Sequence, residues 1–422
     1  MNAAHILSLT SAILCALAAN KVYAADGNKD PYADTLFGSW NGVRDNLSDA
    51  GIDVTAAYQA DLWSNVSGGI KRGNNYLDNL DLQFALDGEK LFGLSGNKAL
   101  IYFINNDGGH PNLHQVGSAQ GMDNIEVVKD TPKLYEAWVD QSFMDNRLSI
   151  LAGLHDLNTE FDSTDSTNNF IKPSFQIGPE FAQSGQNGPS IFPVTALAAR
   201  IKVTPTDTSY VETAAFNGVA GDPSHQYGNH IKFDEGLLLI AETGYTPKTA
   251  EPSDTNPNKF AVGAWMYTKK SNDLVKLDSA GNPVKSHSDG VYALASYQWY
   301  RDKDSGRSIT AFFRPGVADG DTKPIDWAYE TGFVGNGWMP TRPDSEVGLG
   351  FTQSHNSDKY IRSVALTGNS VERSEYGLEL YYRDKLYKGI TVQPDLQYVI
   401  NPDTNPHIDN ATIMGIRVSI NF

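Results

Sequence analysis

Several scarcities bound what this 422-residue chain can be. Its only cysteine is Cys15, so neither a disulfide nor a cysteine-rich metal site is available. Beyond the first two dozen residues, no stretch is apolar enough to cross a membrane as a helix, which takes about 20 such residues. Basic residues are few: 33 Lys and Arg against 50 Asp and Glu leave a net charge of −17. That balance argues against nucleic acid as a partner and against attraction to an anionic surface. Catalytic signatures are missing too. There is no G-x-S-x-G and no H-E-x-x-H. Neither His155 nor His230 has a serine two residues on, where Leu157 and Lys232 stand. No enzyme, cofactor or metal site is expected.

The N-terminus reads as a secretory leader. An apolar stretch from Ile6 to Ala19 is followed by Val22-Tyr23-Ala24, a small-residue pattern that predicts cleavage after Ala24. Cys15 falls inside this leader and not in a lipid-attachment box. An exported chain without a spanning helix is either soluble in the periplasm or a closed barrel in the outer membrane.

The C-terminus favours the barrel. Met414, Ile416, Val418, Ile420 and Phe422 alternate with Gly415, Arg417, Ser419 and Asn421, so one face is apolar and the other polar or small. Lipid-facing and lumen-facing residues alternate in this way, and a terminal aromatic suits recognition by the barrel-assembly machinery. The pattern recurs at Ile52-Val54-Ala56-Tyr58, Leu80-Leu82-Phe84-Leu86, Leu197-Ala199-Ile201-Val203, Tyr376-Leu378-Leu380-Tyr382 and Val392-Pro394-Leu396-Tyr398.

The full reading predicts sixteen strands, at 52–61, 77–87, 98–106, 133–142, 147–156, 196–204, 209–217, 235–245, 259–269, 290–300, 307–315, 326–335, 344–354, 373–384, 389–399 and 411–422. Each approaches the roughly 9–11 residues that cross a bilayer at a tilt. From a periplasmic start, odd connections should be long external loops: 62–76, 107–132, 157–195, 218–234, 270–289, 316–325, 355–372 and 401–410. Even ones, such as 143–146, 205–208, 301–306 and 385–388, should be tight turns, and 246–258 is longer than that rule expects. Ahead of the first strand, Leu36, Trp40, Val43 and Leu47 have helical spacing, which predicts a short helix at the periplasmic mouth. The expected organisation is therefore a leader over 1–24, a helical segment over 25–51 and a 16-stranded antiparallel transmembrane β-barrel over 52–422.

The longest loop, 157–195, carries Phe161, Phe170, Phe175, Phe181 and Phe192 with four prolines. It is too apolar for a solvated tail, and we expect it to fold inward and narrow the lumen. Sugars need aromatic faces to stack on and polar groups to bond their hydroxyls. Inward parity supplies Glu136, Trp138, Asp140, Arg200, Lys202, Glu212, Glu242, Arg314, Glu379, Arg383, Asp395 and Arg417 as pore-lining candidates. Their mixed signs speak against an anion pore, which would gather Lys and Arg at its constriction.

A general cation-preferring porin is the alternative that the net charge favours. Acidic loop residues such as Asp162, Asp165, Asp222, Asp234 and Asp358 could instead bind cations that bridge to lipopolysaccharide. A periplasmic sugar-binding protein would need helices between its strands, and helical periodicity nearly vanishes after residue 51.

Seven segments carry a family resemblance: LFGSWNGVR at 36–44, LYEAWVDQ at 134–141, AGLHDLNTEF at 152–161, IGPEFAQSG at 177–185, PSIFP at 189–193, FNGV at 216–219 and QPDLQYVINP at 393–402. Together they resemble the carbohydrate-selective porins of the OprB type. One departure is Ser39-Trp40-Asn41-Gly42, where the family tends to read Asp-Trp-Gly-Gly. The resemblance implies passive diffusion of small neutral sugars, glucose-like monosaccharides among them, through a sixteen-stranded barrel bathed in outer-membrane lipid and lipopolysaccharide.

Overall fold

A computed structural model describes residues 32–221, 231–232, 234–247 and 257–422. The expected leader, Asp222 and His230 lie outside the described residues. Eighteen strands follow one another: β1 (Ile52–Gly69), β2 (Gly73–Asp87), β3 (Asn97–Gly108), β4 (Thr131–Phe143), β5 (Leu148–His155), β6 (Ala196–Thr206), β7 (Ser209–Asn217), β8 (Leu237–Tyr245), β9 (Lys259–Tyr267), β10 (Ser271–Leu277), β11 (Pro283–Ser286), β12 (Asp289–Arg301), β13 (Ser308–Ala318), β14 (Ile325–Asn336), β15 (Glu346–Asn356), β16 (Ser374–Tyr387), β17 (Ile390–Ile400) and β18 (Asp409–Asn421). Sixteen of them form one closed antiparallel barrel in which β18 returns to β1; β10 and β11 form a separate pair. Closure matters because an open edge would leave backbone N–H and C=O groups without partners, which lipid cannot satisfy.

The alternation expected from sequence is the alternation of burial. On β16, Leu378 and Leu380 are exposed while Gly377, Glu379 and Tyr381 are buried. On β6, Ile201 and Val203 are exposed and Arg200 is buried. The apolar residues thus cover the outside and the polar ones line the lumen. Where an inward tyrosine lies flat on the wall, the neighbouring strand gives way to glycine: a Cβ on Gly348 would fall 2.1 Å from the Tyr381 ring.

Two expectations need correction. The loop expected at 62–76 shrinks to three residues, because β1 runs to Gly69 and β2 starts at Gly73. Inward residues Trp63 and Asn65 continue the strand. The outward face, however, turns polar at Ser64 and hides the alternation. The helix expected from Leu36 begins only at Val43 (α1, Val43–Asp49). Residues 32–42 form turns, with Gly38, Trp40, Asn41 and Gly42 all at positive φ.

Among the described residues three further α-helices are short: α2 (Gly88–Phe92), α3 (Pro179–Ala182) and α4 (Asp358–Ala365). The β10–β11 pair, within a segment expected to be loop, closes its turn on Asp278, whose carboxylate accepts the amides of Ala280 and Asn282 at 2.9 Å each.

Candidate functional site in the barrel lumen

The loop joining β5 to β6 touches wall residues around much of the barrel. Its Asp162, expected as an acidic loop residue open to cations, is instead buried, and the carboxylate takes two hydrogen bonds from Arg314 of β13, Nε to Oδ1 at 2.8 Å and Nη2 to Oδ2 at 2.5 Å. Glu180 of α3 accepts Arg314 Nη1 at 2.6 Å, and Glu330 of β14 stands 3.8 Å from Nε. Phe181 stacks on Trp265 of β9 with ring centres 4.7 Å apart. Phe170 and Phe175 pack against Phe312 and Tyr381. On β16, Glu379 accepts the amides of Ile171 and Lys172 at 2.6 and 2.8 Å. The loop between β3 and β4 is held similarly: Glu375 accepts from Ser118 Oγ and from the amides of Ala119 and Gln120. Lys172 is fully buried and donates to Gly121 O at 2.5 Å, tying the two loops together.

The twelve candidates fall into three groups. The largest comprises charges bonded to the protein itself. Glu136 accepts the Asp156 amide and pairs with His155, each at 2.9 Å. Arg200 binds Glu160 (2.8 Å) and Asp140 (3.2 Å), and Asp140 also accepts from Ser149. Lys202 meets Glu212 at 2.7 Å. Glu242 is enclosed by Tyr210, Tyr292 and Lys259. Arg417 forks onto Asp61 of β1 and reaches Asn124 of the β3–β4 loop at 2.8 Å. Arg314 and Glu379 belong with these.

The second group is Trp138 and Asp395. Trp138 sets its ring edgewise to His155, 6.1 Å centre to centre. Asp395 is buried, its carboxyl group set against the Glu379 carboxyl and the Gln397 amide. Arg383 alone makes up the third group. It is half-buried on the inward face of β16, opposite Glu346 in register, and among the described residues no hydrogen bond or ion pair engages its guanidinium. Glu346 already serves Tyr381 and Asn169.

The wall thus brings together Asp140 with Arg200 and Lys202 with Glu212. It keeps Arg383 and Arg417 away from those clusters. Inward parity flagged wall residues well, but Asp61, Lys259, Glu330 and Glu375 share that parity and were not singled out. Glu160, Asp162, Lys172 and Glu180 sit in an aperiodic loop, where no spacing points to a partner.

A closed antiparallel barrel with an apolar outside and a polar inside defines an outer-membrane porin, a passive channel. More narrowly, the chain belongs to the carbohydrate-selective porin, OprB family, whose model matches residues 71–422. It is 24% identical to Porin B of Pseudomonas aeruginosa, the alignment covering 93% of this chain and 92% of that one. It is 22% identical to a putative porin, QuiX, of Acinetobacter baylyi, over 92% and 93% of the two chains. In fold it matches the high-pH structure of Pseudomonas putida OprB with a TM-score of 0.80, at 22% identity, covering 92% of this chain and 99% of that one. The outer-membrane channel DcaP of Acinetobacter baumannii scores 0.55 at 11% identity, covering 88% and 98%.

Proposed function

We propose that this porin passes glucose-like monosaccharides, that the loops at 109–130 and 156–195 narrow its lumen, and that Arg383 is the wall group that meets the solute. One observation carries the reading: most lumenal charges are already bonded to the protein, so they offer little to a passing ion. Arg383 keeps its donors free, with the acceptor Glu346 beside it, and that pairing suits a neutral polyhydroxylated solute. The aromatic clusters around Phe170 and Phe181 support a loop seated firmly enough to define a constriction. We further propose that the exposed apolar band contacts outer-leaflet lipid and lipopolysaccharide, and that the assembly machinery reads the β18 strand ending in Phe422.

The test is single-channel conductance in a planar bilayer, titrated with glucose. Saturable block by glucose, weakened about tenfold in Arg383→Gln, is the expected outcome; a lost hydrogen bond to a charged group is worth about that much. Channels indifferent to every sugar but strongly cation-selective would replace this reading with a general porin, the alternative that the charge of −17 favours.

A further inference from the structure

We propose that residues 32–50 form a clasp that locks the seam where the barrel closes and covers its last aromatic side chain. The seam is the most demanding junction in the fold. Every other barrel pair joins strands adjacent in sequence, except β9 with β12, which are separated only by the β10–β11 hairpin. Across the seam, Asp61 and Arg417 meet from positions 356 residues apart. Contacts so distant in sequence carry the largest loop-closure cost and form late. The seam is also imperfect. Its pairing runs from Ala57 opposite Asn421 to Gly69 opposite Asp409, with two irregularities near the far end. Below Ala57, β1 continues for five residues with no β18 partner in that pairing.

The clasp fills that gap. Leu36 N donates to Asn421 O at 2.6 Å, and Phe422 N donates to Ala56 O at 3.2 Å. Arg44 spans both sides. One guanidinium nitrogen donates to Phe422 O at 2.8 Å and the other to Val54 O at 2.9 Å, so a single side chain bridges the first and last strands. Arg44 is 2% exposed, with its guanidinium 4.0 Å from the Tyr32 ring centre and 4.9 Å from that of Trp40. Burying a cation is tolerable here because carbonyl acceptors and aromatic faces surround it. Phe37 stacks on Phe422 at 5.5 Å. Asp34 pairs with Lys385 of β16 at 2.6 Å, and Lys90 of α2 donates to Ser48 O at 2.7 Å, so the segment is anchored on both flanks of the seam. Carbonyl bridging by a buried guanidinium exceeds what a mouth-lining helix requires.

Hydrogen–deuterium exchange of the full-length, detergent-solubilised protein tests the clasp. In Arg44→Ala, amides of 57–65 and 413–421 should exchange about tenfold faster or more, as expected for local opening after a charge-assisted bond is lost. Amides of the β13–β14 pair should be unchanged, and so should the conductance. Because Arg44→Ala could fail to assemble, the double variant Phe37→Ala with Asp34→Asn removes two edge contacts for the same readout. Seam protection equal to that of the parent protein in an assembled variant would overturn the clasp. So would acceleration of equal size in the seam and in β13–β14, which would mark a general loss of stability.

Discussion

Two parts of the molecule use the same chemistry in opposite settings. Inside the barrel, Arg314 holds Asp162, Glu180 and Glu330, all buried. At the outer rim, Lys359 of α4 pairs with Asp273 of β10 at 2.5 Å and Asp321 at 2.6 Å, its side chain about a third exposed. Both cations tie segments that are remote in sequence. The rim cation is reached by water, and although Asp273 is buried, its carboxylate keeps the amides of Val275 and Lys276 while Asp321 is open to solvent, so what Lys359 gave is partly replaced. Inside, no such replacement exists. Removing Arg314 would strand three carboxylates in a space whose adjoining cavity measures only about 20 Å³.

The difference predicts a ranked series. Arg314→Ala should be the most damaging, costing about 3–5 kcal/mol as expected for breaking a buried ion pair. The check is the temperature at which the folded band converts on heated gel electrophoresis, together with irregular conductance from a displaced loop. Glu379→Gln comes next. It keeps the volume but weakens acceptance of the Ile171 and Lys172 amides, at about 1.5–3 kcal/mol, and should release this stretch to limited proteolysis. Lys359→Ala should cost less, about 1–2 kcal/mol, since its cation is reached by water and Asp273 keeps two amide bonds; a drop as large as that of Arg314→Ala would erase the distinction.

Acid sharpens the contrast at the rim. Burial alone would raise the Asp273 carboxyl, but the bond from Lys359 and the amides of Val275 and Lys276 outweigh it and hold it at about 2. A group depressed in this way contributes stability above its ordinary titration range and loses it only as pH falls through about 2. The rim tie should therefore survive at pH 4, as judged by protease resistance of the β10–β11 pair.

How much of this was legible beforehand depends on periodicity. Strands such as β16 and β18 declare themselves because lipid on one side and water on the other impose a period of two. The upper end of β1 does not, since Ser64 faces outward where an apolar residue was expected. The turns before α1 were hidden for a different reason: helical spacing of Leu36, Trp40 and Val43 is compatible with glycine-bearing turns at positive φ. Of the twelve pore-lining candidates, parity alone could not separate Arg383 from Arg314, because the distinction lies in whether a loop residue 152 positions away arrives to meet it. Arg44 was visible only as part of a motif. Its bond to Phe422, 378 residues distant, depends on closure of the whole barrel.

The β10–β11 pair has a practical consequence. Its turn is fastened by its own Asp278, and a side chain built on Gly281 would meet nothing within 4 Å. Foreign peptides inserted between Ala280 and Gly281 would project clear of the barrel, on a stalk that none of the sixteen wall strands needs for closure. The three-residue tip at 70–72, pressed against Gln115, offers no such freedom.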